Sequence, residues 1–272
     1  MSSPIGIFDS GIGGLTVVRH LISRLRNESI VYFGDTARVP YGSKSVETVK
    51  RFAFENTKFL LNRGVKLIVV ACNTVSAVAL EELRGAFDVP IVGVIDSSAR
   101  AAVHLSKKKV VGVIGTVGTV ESCAYEKAIA ALDPTVKVHS RACPLFVPLA
   151  EEGWIVHPVA KMIANEYLEG LIHAGADVLV LGCTHYPVLR RVIQDAVGNE
   201  VTLVDSGEEA ANEVITILKE KGMEADSGGR VFRHFYVSDI PRKFKDVGER
   251  FLGQEIDGLT LVNQSDIPWY ER

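Results

Sequence analysis

Three features of the sequence predict an α/β protein made of two similar parallel-sheet domains, related by a pseudo-two-fold axis, with the functional site in the cleft between them. Short and almost continuously apolar runs alternate with longer amphipathic stretches, as in sheets covered by helices on both faces. The same landmarks recur in the same order in the second half. Most of the apolar runs end in a polar or Gly-containing turn, where open α/β sheets bind ligands.

The runs from Ile5 to Phe8, Ile30 to Phe33, Leu67 to Ala71 and Ile91 to Ile95 are predicted to be buried strands. The stretches from Leu15 to Leu25, Val46 to Leu61 and Val75 to Leu83 are predicted to be the helices between them. The repeat follows. Gly64-Val-Lys-Leu-Ile-Val-Val-Ala-Cys72-Asn-Thr74 matches Gly175-Ala-Asp-Val-Leu-Val-Leu-Gly-Cys183-Thr-His185, glycine on glycine and cysteine on cysteine. Ile5 to Ser10 resembles Val111 to Thr116, Val39-Pro40 resembles Val147-Pro148, and Val94 to Ser97 resembles Leu203 to Ser206. The boundaries therefore fall near Asp96 and Asp205: residues 1–96 with 206–272 form one domain, and 97–205 the other. In the tail, a helix from Glu208 to Lys219, a Gly-rich loop, a strand from Phe232 to Val237 and a helix from Pro241 to Leu252 are expected to return to the first domain.

The chain has 272 residues, 47% of them hydrophobic and 23% charged, with a formal net charge of −3. That supports a sizeable core and argues against a nucleic-acid partner, which would call for a basic patch or stripe. Lys107, Lys108 and Lys109 form the one basic run and read as a solvated loop. No signal-peptide pattern opens the chain, and no apolar run reaches the roughly 18 residues of a membrane span, so no membrane association is expected. The four cysteines, Cys72, Cys123, Cys143 and Cys183, have neither C-x-x-C nor zinc spacing. A cytoplasmic location with reduced thiols and no bound metal is expected.

Cys72 and Cys183 each stand where a predicted strand gives way to a helix. The helix dipole is expected to lower the pKa of both thiols. Cys123, in a helical pattern, and Cys143, in an Ala-Cys-Pro turn, read as structural. Equivalent thiols on duplicated halves suit one kind of chemistry. A reaction that removes a proton from one face of a carbon and returns it to the other needs two acid/base groups facing a fixed substrate, and donors to stabilise the developing negative charge.

The neighbours fit such a site. Asp9-Ser10-Gly11-Ile12-Gly13-Gly14 brings backbone N–H groups close to an anion. The alternative is a dinucleotide loop, with Asp35 near a ribose. Against it, Thr16 replaces the third glycine, and Asp9 would repel a pyrophosphate. Asp9 is better placed beside an ammonium group or a cysteine. Asn73, Thr74 and Thr184 are hydrogen-bonding residues that also suit helix caps. His185 is placed to tune or relay a proton for Cys183. Tyr41 and Gly42 follow Pro40 in a turn with backbone donors. Val147 and Pro148 are expected at the cleft mouth. Glu152, in Glu151-Glu152-Gly153, reads from the sequence as a solvated helix end.

These motifs together resemble those of the glutamate racemase family: Asp9-Ser10-Gly11 with Gly13-Gly14, Pro40-Tyr41-Gly42, Ala71-Cys72-Asn73-Thr74, and Gly182-Cys183-Thr184-His185-Tyr186-Pro187. The resemblance runs from about Ile5 to about Gly222. It implies interconversion of L- and D-glutamate with no cofactor (neither pyridoxal phosphate, metal nor nucleotide), supply of D-glutamate for peptidoglycan, and a homodimer. By the same resemblance Cys72 takes the proton of D-glutamate and Cys183 that of L-glutamate. Asp9 assists Cys72 and His185 assists Cys183, with Glu152 auxiliary. Ser10, Tyr41, Gly42, Asn73, Thr74, Thr116, Thr119 and Thr184 contact the substrate. The rival expectations are an aspartate racemase, a module that binds an acidic ligand without chemistry, and a nicotinamide dehydrogenase.

Overall fold

The structure is a computed structural model, described for residues 2–239 and 244–262. In chain order the elements begin β1 (Ile5–Asp9), α1 (Leu15–Arg24), β2 (Ile30–Gly34), α2 (Val46–Leu61), β3 (Leu67–Val70), α3 (Asn73–Val78), α4 (Leu80–Ala86), β4 (Ile91–Gly93) and α5 (Ile95–Leu105). The second series is β5 (Val110–Gly115), α6 (Val117–Glu121), α7 (Ala124–Leu132), β6 (Lys137–Ala142), α8 (Phe146–Glu151), α9 (Pro158–His173), β7 (Val178–Gly182), α10 (Arg190–Val197) and β8 (Thr202–Asp205). Then come α11 (Ser206–Glu220), β9 (Arg233–Val237), α12 (Phe244–Leu252) and β10 (Leu259–Leu261). Short 3₁₀ turns at Thr36–Arg38 and Tyr186–Leu189 interrupt two of the loops.

There are two parallel sheets, ordered β10-β9-β2-β1-β3-β4 and β6-β5-β7-β8. The order β2-β1-β3-β4 and the order β6-β5-β7-β8 are one topology used twice, as the internal repeat predicts. Gly64 and Gly175, the repeat's matching glycines, both adopt left-handed φ values, +67° and +82°, in the turns leading into β3 and β7. The central strands β1, β2, β3 and β7 are buried along their whole length, so their apolar runs show no alternation. The tail adds β9 and β10 to the first sheet beyond β2, in parallel.

Two expectations need correction. The predicted helix from Val75 to Leu83 breaks at Ala79 into α3 and α4. Cys123 is not within a helix: it stands exposed between α6 and α7 with a left-handed φ of 54°. The last helix is seen from Phe244, and Pro241 lies outside the described residues. The Lys107–Lys109 loop is tied by backbone N–H groups of Lys107 and Lys108, both 2.7 Å from the Asp177 carboxylate. Among the described residues no helix is long and apolar enough to cross a membrane.

Candidate active site

The carboxyl ends of both sheets face a common cleft. It is lined by Ser10, Gly11 and Ile12 after β1, Val39 to Gly42 after β2, Cys72 to Thr74 after β3, Thr116 after β5, Val147 and Glu151 on α8, and Cys183 to His185 after β7. The cavity measures about 60 Å³. Both cysteines reach it from opposite halves of the repeat.

Their surroundings differ. Cys72 caps the amino end of α3. The dipole expectation fails here: burial and the neighbouring Asp9 charge push the Cys72 thiol up to about 12, with Cys183 adding to the rise, while the Val75 N–H and the Ser10 hydroxyl offset it only in part. Asp9 itself is completely buried behind the cleft. Its Oδ2 accepts from Gly11 N at 3.0 Å, and its buried Oδ1 has no hydrogen-bond partner. Burial raises its pKa against the pull of His185 and of the Gly11, Gly14 and Ser10 N–H groups.

Cys183 is not at a helix end, since Thr184 and His185 separate it from the 3₁₀ turn. Its sulfur lies 3.9 Å from His185 Nδ1, and His185 Nε2 lies 2.9 Å from Glu151 Oε1. Burial disfavours the imidazolium, but hydrogen bonding and charge from Cys183 and Glu151 outweigh it and raise His185 to about 10. The ring is also held edge-on to Phe251 of α12, with centroids 5.2 Å apart.

The carboxylate beside His185 is therefore Glu151, where the sequence pointed to Glu152. Glu152 instead lines an adjoining cavity with Thr36, Phe244 and Val247, into which Glu151 also extends. Glu151 lies one helical turn after Val147 on α8, and both face the cleft. That i, i+4 relation to a residue already placed at the cleft mouth was the available signal.

The hydroxyls of Thr74, Thr116 and Thr119 cluster across the cleft. Thr74 Oγ1 lies 3.0 Å from Thr116 Oγ1 and 3.4 Å from Thr119 Oγ1. Thr119 is buried just behind the wall. Asn73 is gripped at both ends of its amide: Tyr125 OH donates to Oδ1 at 2.7 Å, and Nδ2 donates to Ser206 Oγ at 3.3 Å. Ser206 in turn donates to Leu181 O at 3.1 Å, close to Cys183. Tyr41 directs its hydroxyl away from the cleft onto Asp35. Asp35 is completely buried and also accepts from Arg38 Nε at 2.6 Å and Ser238 Oγ at 2.8 Å. It braces the Pro40-Tyr41-Gly42 loop, which rules it out as a ribose ligand.

A model of the Asp/Glu/Hydantoin racemase family matches residues 5–214. The chain belongs to this family. A glutamate racemase from Geobacter metallireducens is 54% identical over 259 residues, covering 95% of this chain and 96% of its own. A glutamate racemase from Francisella tularensis, crystallised in complex with D-glutamate, superposes with a TM-score of 0.90 at 40% identity, over 96% of this chain and 98% of its own. A glutamate racemase isoform from Bacillus anthracis gives 0.92 at 42% identity, over 98% of both chains. Within this racemase family fold, the site joins two thiols with unlike partners, a carboxyl behind Cys72 and an imidazole–carboxylate pair beside Cys183.

Proposed function

We propose that the protein is a glutamate racemase that interconverts L- and D-glutamate by two-base proton transfer at Cα, without a cofactor. The observation that carries this is the placement of Cys72 and Cys183 at equivalent strand ends of the two sheets, both lining one small cavity. Residues 1–96 with 206–272 supply Cys72, and residues 97–205 supply Cys183. In the L-to-D direction, Cys183 as thiolate removes the α-proton and becomes a thiol. Cys72 as thiol donates to the opposite face and becomes a thiolate. In reverse the roles exchange.

The electrostatics support this division. Cys72, pushed up to about 12, holds its proton as a donor should. His185, raised to about 10, stands with its Nδ1 3.9 Å from the Cys183 sulfur. The hydroxyl cluster, the glycine loop and the Pro40-Tyr41-Gly42 turn offer donors to two carboxylates and to the charge that develops at Cα. The family likeness supports the rest of the proposal: a cytoplasmic homodimer that supplies D-glutamate for peptidoglycan.

The test is incubation with L-glutamate in D₂O with nothing else added, following optical rotation and the α-proton NMR signal. Both are expected to disappear. If both persist, and aspartate is also unchanged, the protein binds an acidic ligand without chemistry. If aspartate alone reacts, the mechanism stands and the substrate changes.

A further inference from the structure

At the position where a dinucleotide loop carries its third glycine, this chain has Thr16. It is the second residue of α1 and is completely buried. Its single hydroxyl proton lies within reach of two carbonyls, Gly13 O at 2.9 Å and Thr184 O at 2.9 Å. Thr184 is the residue between Cys183 and His185. A helix that follows β1 of the first sheet thus reaches the peptide joining one cysteine to its imidazole after β7 of the second.

The approach at this point is close. A Cβ on Gly13 would overlap Thr184 Oγ1 and lie 2.6 Å from His185 Nδ1, the nitrogen that faces Cys183. Gly13 O also accepts from the Thr16 backbone N–H at 3.0 Å, so it keeps a partner when the hydroxyl is removed. The loss therefore falls on Thr184 O. We propose that Thr16 is a positioning residue for the Cys183 half of the site, fixing the Cys183–His185 segment against the glycine loop through its side-chain hydroxyl. This rests on the two-cysteine mechanism proposed above, and it extends that mechanism to a residue that touches neither the substrate nor the sulfur.

The consequence is one-sided. Loosening the Cys183 segment raises the barrier to proton transfer at Cys183 and leaves the barrier at Cys72 in place. Thr16→Val removes the donor at nearly constant volume, and Thr16→Ser restores it. For Thr16→Val, kcat/KM is expected to fall by about 3–10-fold, equally for both enantiomers because their free energies are equal. The primary deuterium isotope effect on kcat/KM is expected to rise with α-deuterated L-glutamate and to fall with α-deuterated D-glutamate. Thr16→Ser should return both values towards those of the parent protein.

A merely structural role would lower the active fraction and leave both isotope effects unmoved, which would overturn the proposal, as would an unchanged kcat/KM. Divergence in the opposite sense would put Thr16 on the Cys72 side and also overturn it. If circular dichroism shows that Thr16→Val does not fold, Thr16→Ser against Thr16→Ala makes the same comparison. Cys183→Ala, run alongside, separates the two levels: racemisation by that variant would sink the two-cysteine mechanism itself, whatever Thr16 does.

Discussion

His185 shows how a single side chain gets its charge from its surroundings. Burial alone would favour the neutral imidazole, yet Cys183 on one nitrogen and Glu151 on the other raise it to about 10. A group whose folded pKa is raised stabilises the fold fully below its unfolded value, near 6.5, and that contribution is lost as pH climbs through the folded value. Glu151→Gln removes the carboxylate beside Nε2, so His185 should release its proton at lower pH. The alkaline limb of the kcat/KM profile should then move to lower pH, with kcat/KM reduced about 10-fold or more at alkaline pH. The same change at Glu152 should leave the limb where it is. A profile that moves with Glu152 and not with Glu151 would reverse the assignment.

At the scale of elements, the site is set by what braces each loop. Tyr41 and Asp35 tie the Pro40-Tyr41-Gly42 loop to a buried network that includes Arg38, Asn56 and Ser238. Tyr41→Phe leaves a buried carboxylate with one donor fewer, at a cost of about 1–3 kcal/mol. Thermal denaturation should show Tm lower by roughly 2–8 °C, and KM for glutamate should rise because the loop is no longer held. The glycine loop is braced by contact instead. Gly13→Ala would push a methyl group against Thr184 and the His185 ring. Displacement of reacting groups by about 1 Å costs on the order of 10²-fold, so kcat/KM should fall by about that factor. Near-normal turnover by the alanine variant would mean that the loop moves aside freely.

At the scale of the molecule, a duplicated topology presents one thiol from each half to a shared cleft. On the proposed mechanism each half supplies one of the two proton transfers, and neither does the work of the other. Cys72→Ala and Cys183→Ala should each lower racemisation by at least about 10²–10⁴-fold, read by polarimetry. Either variant is still expected to eliminate a leaving group from a suitable β-substituted substrate, because elimination needs a base on one face only. Normal racemisation by either variant would exclude the two-base mechanism.

Much of this was legible in the chain itself. Buried parallel strands write themselves as unbroken apolar runs, so the alternating fold class, the internal repeat and the strand ends carrying Cys72 and Cys183 could all be read locally. The turn after each strand likewise marked Ser10, Tyr41, Gly42, Thr74 and Thr184 as cleft residues, and the family resemblance added Thr116. Charge states and cross-cleft partners could not be read in this way. The dipole argument predicted a lowered thiol pKa at Cys72, but burial beside Asp9 has the larger effect and comes from the packing of three separate segments. Glu151, not Glu152, faces His185 because α8 turns about 100° per residue and only one of the two carboxylates shares a face with Val147. Thr16 looked like a broken glycine motif until the second sheet brought Thr184 to its hydroxyl. Sequence periodicity determined the elements and the places where chemistry could sit. Tertiary structure alone decided which groups meet there and how each is charged, because desolvation and hydrogen bonding depend on neighbours far apart along the chain.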